Sequence, residues 1–205
     1  MLVSVYRALG ITLALWLMLG LGYPLIMAGI SQGLFPYQAS GSVIRIDGAP
    51  RALAHVGQNF TGSADYFWGR PSYTLGAHGR LSPYNPLQAR ANNLGATSPL
   101  LLRRIHARVR ALLTSTPNLT VHAIPLSLVE GSASGLDPDI TVASALIQIP
   151  RVAHATDLRP RRLRKMVGEA THPPEWGLLG PSRVNVVALN LLVYSVLHAR
   201  KRPGV

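Results

Sequence analysis

Residues 8–30 read ALGITLALWLMLGLGYPLIMAGI and contain no charged residue. At about 1.5 Å of rise per residue, twenty or so such residues cross a hydrocarbon core of about 30 Å as one helix. A cleavable signal peptide would have an apolar core of about 7–15 residues closed by an A-x-A-like site. This run is longer, and Tyr37-Gln38-Ala39 is a poor candidate site behind it. The segment is therefore read as an uncleaved transmembrane anchor over 8–30, preceded by a short tail over 1–7. The stretch over 36–205 reads as a single mixed α+β soluble domain in which helices dominate.

Orientation rests on Arg7, which lies before the span, while the next basic residue, Arg45, lies well beyond it. The positive-inside rule puts the N-terminus in the cytoplasm and the domain outside. Within the span, Gly10 and Ala14 form a small-xxx-small pair, and Gly20 and Gly22 add small positions that would let another helix approach closely. Gly22-Tyr23-Pro24 predicts a kink near the end of the span. Proline removes a backbone donor, and Tyr favours the water–lipid interface. Such an end suits a helix docked on a larger membrane partner.

Charge and composition narrow the classes further. Of the 205 residues, 48% are hydrophobic and only 14% charged, and there is no cysteine. A disulfide framework, a thiolate metal site and a thiol nucleophile are thereby excluded. Twenty Lys and Arg face eight Asp and Glu, a formal net charge of +12. Lys stands only at positions 165 and 201, leaving 18 arginines. The densest run is Arg159, Arg161, Arg162, Arg164 and Lys165, open to three readings: a solvated helix face, attraction to anionic lipid, or phosphate contacts. No aromatics interleave with it, and no helix-turn-helix, RRM or zinc-finger pattern occurs, so nucleic acid is not an expected partner.

The pattern after the anchor is punctuated by Gly and Pro. Residues 42–46 (SVIRI) alternate as a strand and run into Asp47-Gly48, a hairpin-turn pair. Residues 60–93 are rich in Gly, Pro, Asn, Ser and Tyr, predicting mostly loop with short ordered pieces and a partner-facing surface. Ser98-Pro99 starts a helix, with Leu101, Leu102, Ile105, Val109 and Leu112 on its core side and Arg103, Arg104, Arg108 and Arg110 on the others. Residues 119–124 predict a strand ended by Pro125. Asp137-Pro138 predicts another helix start, with Asp137 as N-cap and Asp139 in the first turn. Val142, Ala145, Ile149 and Val152 continue at helical spacing, with Pro150 expected to kink or shorten that helix. Residues 184–198 predict a last apolar helix, too short and too polar to span a bilayer, with a basic end at Arg200-Lys201-Arg202.

Catalytic signatures are absent from the sequence. It holds no G-x-x-x-x-G-K-[ST], no H-E-x-x-H and no D-K-T-G, and the histidines at 55, 78, 106, 122, 154, 172 and 198 lack paired ligand spacing. Gly131-Ser132-Ala133-Ser134-Gly135 imitates a nucleophile elbow but has Ala at its centre. No catalytic or metal-ligating residue is assigned. Asp137 and Asp139 are the closest carboxylate pair, and capping explains them better than acid–base work.

Several stretches nevertheless form a specific constellation. They are Gly22-Tyr23-Pro24-Leu25, Phe35-Pro36, Gln38-Ala39, Gly41-Ser42, Gly57-Gln58, Tyr66-Phe67 and Gly69-Arg70-Pro71-Ser72. Further along stand Asn93-Leu94-Gly95 with Thr97-Ser98-Pro99, then Ser134-Gly135-Leu136-Asp137-Pro138, then Gln148 with Arg151-Val152-Ala153. The last are Arg183-Val184-Asn185-Val186 and Leu189-Asn190-Leu191. In this order, behind one anchor, they resemble the C subunit of the Kdp-type potassium-transporting ATPase over residues 22 to about 194. The sequence departs from that pattern at Arg90-Ala91-Asn92, where Gly-Gly-Ser is usual, and at Ala133 for Gly. It also departs at Asp139 for His, at Pro150, and at Thr156 for Arg.

The resemblance implies an accessory, non-hydrolytic subunit of a high-affinity, ATP-driven potassium uptake complex in the bacterial inner membrane. Its partners would be a channel-like potassium-binding subunit and a P-type ATPase subunit, besides membrane lipid. The chain alone would bind no cofactor, with ATP and K+ acting at the level of the complex. The family has been described as a catalytic chaperone raising the pump's affinity for ATP, and also as an outward-facing domain over the channel subunit's entrance. The motif residues become candidates for a docking interface. A membrane-tethered basic domain that binds anionic lipid or polymer is the rival reading, and a periplasmic hydrolase a third.

Overall fold

The apolar run lies inside a longer helical stretch, Leu2–Leu34 (33 residues), in a computed structural model that describes residues 2–201. Helix α1 (Leu2–Leu17) passes through a π turn at Met18–Gly22 into α2 (Tyr23–Leu34). Together they are long and apolar enough to cross a membrane. The break predicted at Gly22-Tyr23-Pro24 takes the form of that π turn, for a steric reason. Pro24 has no N–H for the carbonyl four residues back, and its ring would crowd that carbonyl. The wider turn, in which the Tyr23 N–H reaches back to the Met18 carbonyl, accommodates the proline without ending the helix.

The chain divides into two compact units, Met1–Leu53 and Ala54–Val205. In the first, a short α3 (Pro36–Ala39) follows the long helix, and β1 (Val43–Ile46) pairs antiparallel with β2 (Ala49–Leu53). The hairpin turns on Asp47 and Gly48, both at positive φ (51° and 75°), as an Asp-Gly pair favours.

The second unit begins with an irregular stretch and then α4 (Pro99–Ser115). Pro99 sits in the first turn as expected, although the Ser98 hydroxyl makes no capping bond. Residues 119–124 do not form the expected strand. They hold a 3-10 turn at Val121–Ala123, because no neighbouring strand offers its backbone there. After α4 come β3 (Asp139–Thr141), α5 (Val142–Leu146), α6 (Ile149–Thr156), α7 (Pro160–Glu169), β4 (Thr171–His172), β5 (Arg183–Asn185) and α8 (Val186–Lys201). The three strands form one antiparallel sheet, β3-β5-β4, with β5 central. The fold is thus α+β with helices dominant. Arg202 of the predicted basic end lies outside the described residues.

Two local expectations change here. The helix expected to start at Asp137-Pro138 starts at Thr141 instead, whose side chain accepts from the Ser144 N–H. Asp137 caps only the Asp139 amide (2.9 Å), so Asp139 opens β3 rather than a helical turn. Pro150 does interrupt the helical pattern: α5 and α6 are separate helices, with Pro150 in the first turn of α6.

Phe67, Leu112, Leu128, Val152, Leu158, Leu163, Val184, Leu189 and Val193 form the centre of one core within the Ala54–Val205 unit. Residues 67–69, 71, 72 and 74, expected on a partner-facing surface, are buried within it. Residues 77–81 and 86–90 of the same stretch are exposed. Arg108, placed by the sequence on an outer face of α4, is also inside. It shares the helix face of Leu101, Ile105 and Leu112, and only 7% of its surface is exposed.

Candidate functional site

The extended segment 67–72 belongs to no strand or helix, so its backbone groups must find partners elsewhere. Side chains from distant elements provide them. The Phe67 N–H donates to Asn190 Oδ1 (2.8 Å), and Asn190 Nδ2 donates back to the Phe67 carbonyl (2.9 Å). The Trp68 N–H donates to Gln148 Oε1 (2.8 Å), while Gln148 Nε2 donates to the Trp68 carbonyl (3.1 Å). Each amide thus imitates one rung of a β ladder. Arg108 Nη2 donates to the Gly69 carbonyl (2.8 Å), the Tyr84 hydroxyl donates to the Arg70 carbonyl, and the Ser132 N–H donates to the Pro71 carbonyl (3.0 Å). Ser72 Oγ accepts from the Tyr84 N–H (2.8 Å) and donates to the Gly135 carbonyl (2.7 Å).

Trp68 lies between two buried arginines, its ring 5.0 Å from the Arg108 guanidinium and 4.6 Å from that of Arg151. Among the described residues neither cation has a carboxylate partner within ion-pair distance. Oxygen dipoles serve instead. Arg108 donates to the Leu128 carbonyl and Thr61 Oγ1, and Arg151 to the carbonyls of Ser63 and Ala64 and to Gln148 Oε1, all at 2.8–2.9 Å. Burial, reinforced by the neighbouring charge of Arg108, lowers the pKa of Arg151 to about 10. Burial also lowers that of Arg108 and raises the Tyr84 phenol to about 12.

The other motif residues close the same arrangement. Arg70 Nη1 pairs with Asp137 Oδ2 at 3.1 Å. The Gly57 N–H donates to the Leu136 carbonyl (2.7 Å), and the Val186 N–H donates to the Pro138 carbonyl (2.9 Å). Gly135 turns at φ +73°, where a Cβ would lie 2.5 Å from Thr74 Cγ2. Asn185 Oδ1 caps α8 through the Ala188 N–H (2.9 Å), and its Nδ2 donates to the Ala54 carbonyl (2.8 Å). Arg183 pairs with Asp139 (3.1 Å) and Glu175 (2.6 Å). Half-buried beside another carboxylate, Asp139 is held above the ordinary range of an aspartate, chiefly by burial.

The structure therefore gathers Gly57, Phe67, Gly69, Arg70, Pro71, Ser72, Gly135, Leu136, Asp137, Pro138, Gln148, Arg151, Asn185 and Asn190 around one clasped segment. Gln58 is half-buried next to Gly57, whereas Asn93 and Ser134 are exposed. Gly22, Tyr23, Pro24, Gln38, Gly41 and Ser42 belong to the other unit. Arg108 and Tyr84 were not singled out from the sequence. Arg108 could have been found from its place on the Leu101, Ile105 and Leu112 stripe, whereas Tyr84, in a loop, carried no periodic signal. The seven histidines are all exposed, and among the described residues no cluster of three or more His, Asp and Glu could hold a metal.

These features define a class: a domain following one membrane-length helix, whose most distinctive polar side chains hold its own backbone. The family emerges from comparison with known proteins. Residues 5–194 match the family described as KdpC, the K+-transporting ATPase c chain. The chain is 44% identical over 197 residues to the potassium-transporting ATPase KdpC subunit of Rhodopseudomonas palustris (strain BisB18), covering 93% of this chain and 97% of that one. It is 42% identical to the subunits of that name from Variovorax paradoxus (strain S110), covering 88% and 90%, and from Salmonella heidelberg (strain SL476), covering 93% and 94%. The chain belongs to the KdpC family.

Proposed function

We propose that this chain is the accessory, non-hydrolytic subunit of an ATP-driven potassium uptake complex. In this reading the Leu2–Leu34 helix crosses the inner membrane and docks on the partner subunits. The domain lies on the periplasmic side, and the chain assists assembly and ion uptake. The observation that carries the proposal is the KdpC match over nearly the whole chain, running from the apolar helix through to α8. The arrangement of Gln148, Arg151, Asn190 and the Gly69–Ser72 stretch supports it from another side. Their polar atoms hold one buried backbone segment in a single arrangement, as a domain that docks in a defined shape requires. Any rise in the pump's affinity for ATP would then act through assembly, since the sequence has no phosphate-cradling loop.

The test is to compare complexes made with and without this chain. Loss of assembly, of potassium uptake, or of the pump's apparent affinity for ATP is expected without it. A stable complex with normal uptake at every ATP concentration would overturn the reading. The side of the membrane is tested separately, which the absence of cysteine makes simple. A single exposed thiol, Ala133→Cys, should react with a membrane-impermeant maleimide in spheroplasts, and protection until lysis would place the domain inside.

A further inference from the structure

Between β4 and β5 the chain folds into a tight hairpin. The Glu175 N–H donates to the Leu179 carbonyl and the Leu179 N–H to the Glu175 carbonyl, both at 2.9 Å. Trp176 and Gly177 turn it at φ 53° and 75°. Arg183 fastens one arm through Glu175 (2.6 Å) and is itself fixed to Asp139 (3.1 Å), so the turn is tied to the sheet. Its tip is nevertheless apolar and open to solvent: Trp176 is 91% exposed, Leu178 86% and Leu179 53%. Glu175, the one charged residue in the turn, is neutralised by Arg183. A tied-down turn holding three large apolar side chains in water is built to enter another phase or surface.

Just before this hairpin runs α7, and only Ala170, Thr171 and His172 lie between its last residue and Pro173. Leu163, Met166 and Val167 bury one face of α7, while Arg159, Arg161, Arg162, Arg164 and Lys165 are all exposed. None of the ion pairs among the described residues involves the four arginines, and Lys165 meets Glu169 only at 3.8 Å. From residue 54 onward the sequence carries 17 Lys and Arg against 7 Asp and Glu.

We propose that the domain rests on an anionic phospholipid surface. Trp176, Leu178 and Leu179 enter the interfacial layer, and the α7 arginines meet headgroup phosphates. Three observations favour lipid over a protein pocket. The chain carries its own membrane-length helix, which keeps the domain at high effective concentration beside a bilayer. Trp is the side chain that prefers the water–lipid boundary. Exposed arginines without an ion pair among the described residues, followed within twenty residues of chain by an apolar tip, supply the two attractions that hold peripheral proteins on anionic leaflets. The inference needs the helix to span the membrane, but it depends neither on the side chosen nor on the potassium complex.

The chain contains three tryptophans, Trp16, Trp68 and Trp176, and Trp68 is buried. In the full chain reconstituted in vesicles, Trp176→Phe leaves Trp16 to report the span, and Trp16→Phe leaves Trp176 to report the hairpin. With phosphatidylethanolamine–phosphatidylglycerol vesicles, lipids brominated deep in the acyl chains should quench Trp16, establishing insertion. Lipids brominated near the headgroup should remove roughly half of the Trp176 emission and shift the remainder to the blue, as for a ring at the interface. The loss should be smaller in pure phosphatidylcholine. Quenched Trp16 with unquenched Trp176 overturns the proposal while leaving the anchor intact. Equal quenching on neutral and anionic vesicles, or a Trp176 shift seen only after the partner subunits are added, overturns it as well.

Discussion

A methyl group has no room at Gly57. An added Cβ would stand 2.3 Å from Tyr84 Cε1 and 3.0 Å from the Asp137 carbonyl, and the ring cannot yield without releasing its hydroxyl bond to Arg70. Gly57→Ala is expected to lower unfolding free energy by about 1–3 kcal/mol in denaturant titrations, as overpacking of a close-packed site does. Tyr84 also gives the domain a defined alkaline response. Its phenol is raised from 10.0 to about 12, mainly by burial, so the native state holds a proton that the unfolded chain releases near 10. The stability it contributes is complete below pH 10 and is lost as pH rises through about 12. The difference in unfolding free energy between the wild-type chain and Tyr84→Phe should shrink across that window, and a constant difference would refute the assignment.

At the scale of elements, Gln148 joins the α5–α6 junction to the clasped segment through both backbone groups of Trp68. Gln148→Leu keeps the bulk but leaves a buried N–H, a buried carbonyl and one Arg151 donor without that partner. A loss of about 3 kcal/mol is expected from chemical denaturation. Pro150 leads to the opposite expectation. In a helix interior it would cost about 3 kcal/mol, but in the first turn of α6 its missing N–H is one that helices leave unpaired. Pro150→Ala should therefore shift stability by no more than about 0.5 kcal/mol. The same position shows how sequence reading works here. Periodicity located the helical stretches and proline located the break. The choice of Thr141 over Asp137 as cap was not legible, because it depends on β3 pairing with β5, more than forty residues away.

At the scale of the molecule, the long apolar helix, the mixed class and the order of the motifs were readable because each is written locally, as apolar length, spacing or a fixed word such as Gly-Arg-Pro-Ser. The clasp was not. Its pairs join residues 123 and 80 apart, Phe67 to Asn190 and Trp68 to Gln148, and no periodicity relates positions at that range. Arg108 was misjudged because arginine on a helix is ordinarily at the surface. Here carbonyls and an indole ring replace water around it. The Ala54–Val205 unit contains this clasp and the whole buried cluster. A chain starting at residue 54 should therefore remain folded, with the near-ultraviolet signal of Trp68 and a cooperative melt, while any association it keeps with the membrane fraction should be removed by high salt.

The distance between Phe67 and Asn190 also has a temporal meaning. At about 5–20 residues per second, the 123 residues that separate them take on the order of ten seconds to synthesise. Until Gln148 is made, 80 residues after Trp68, the nascent segment 67–72 has neither amide side chain to hold its backbone; it lacks Asn190 to the end of the interval, and Phe67 and Trp68 have no finished core to enter. During its own manufacture, a stretch clasped through both its N–H and its carbonyl groups in the finished protein stands open to a chaperone or a protease.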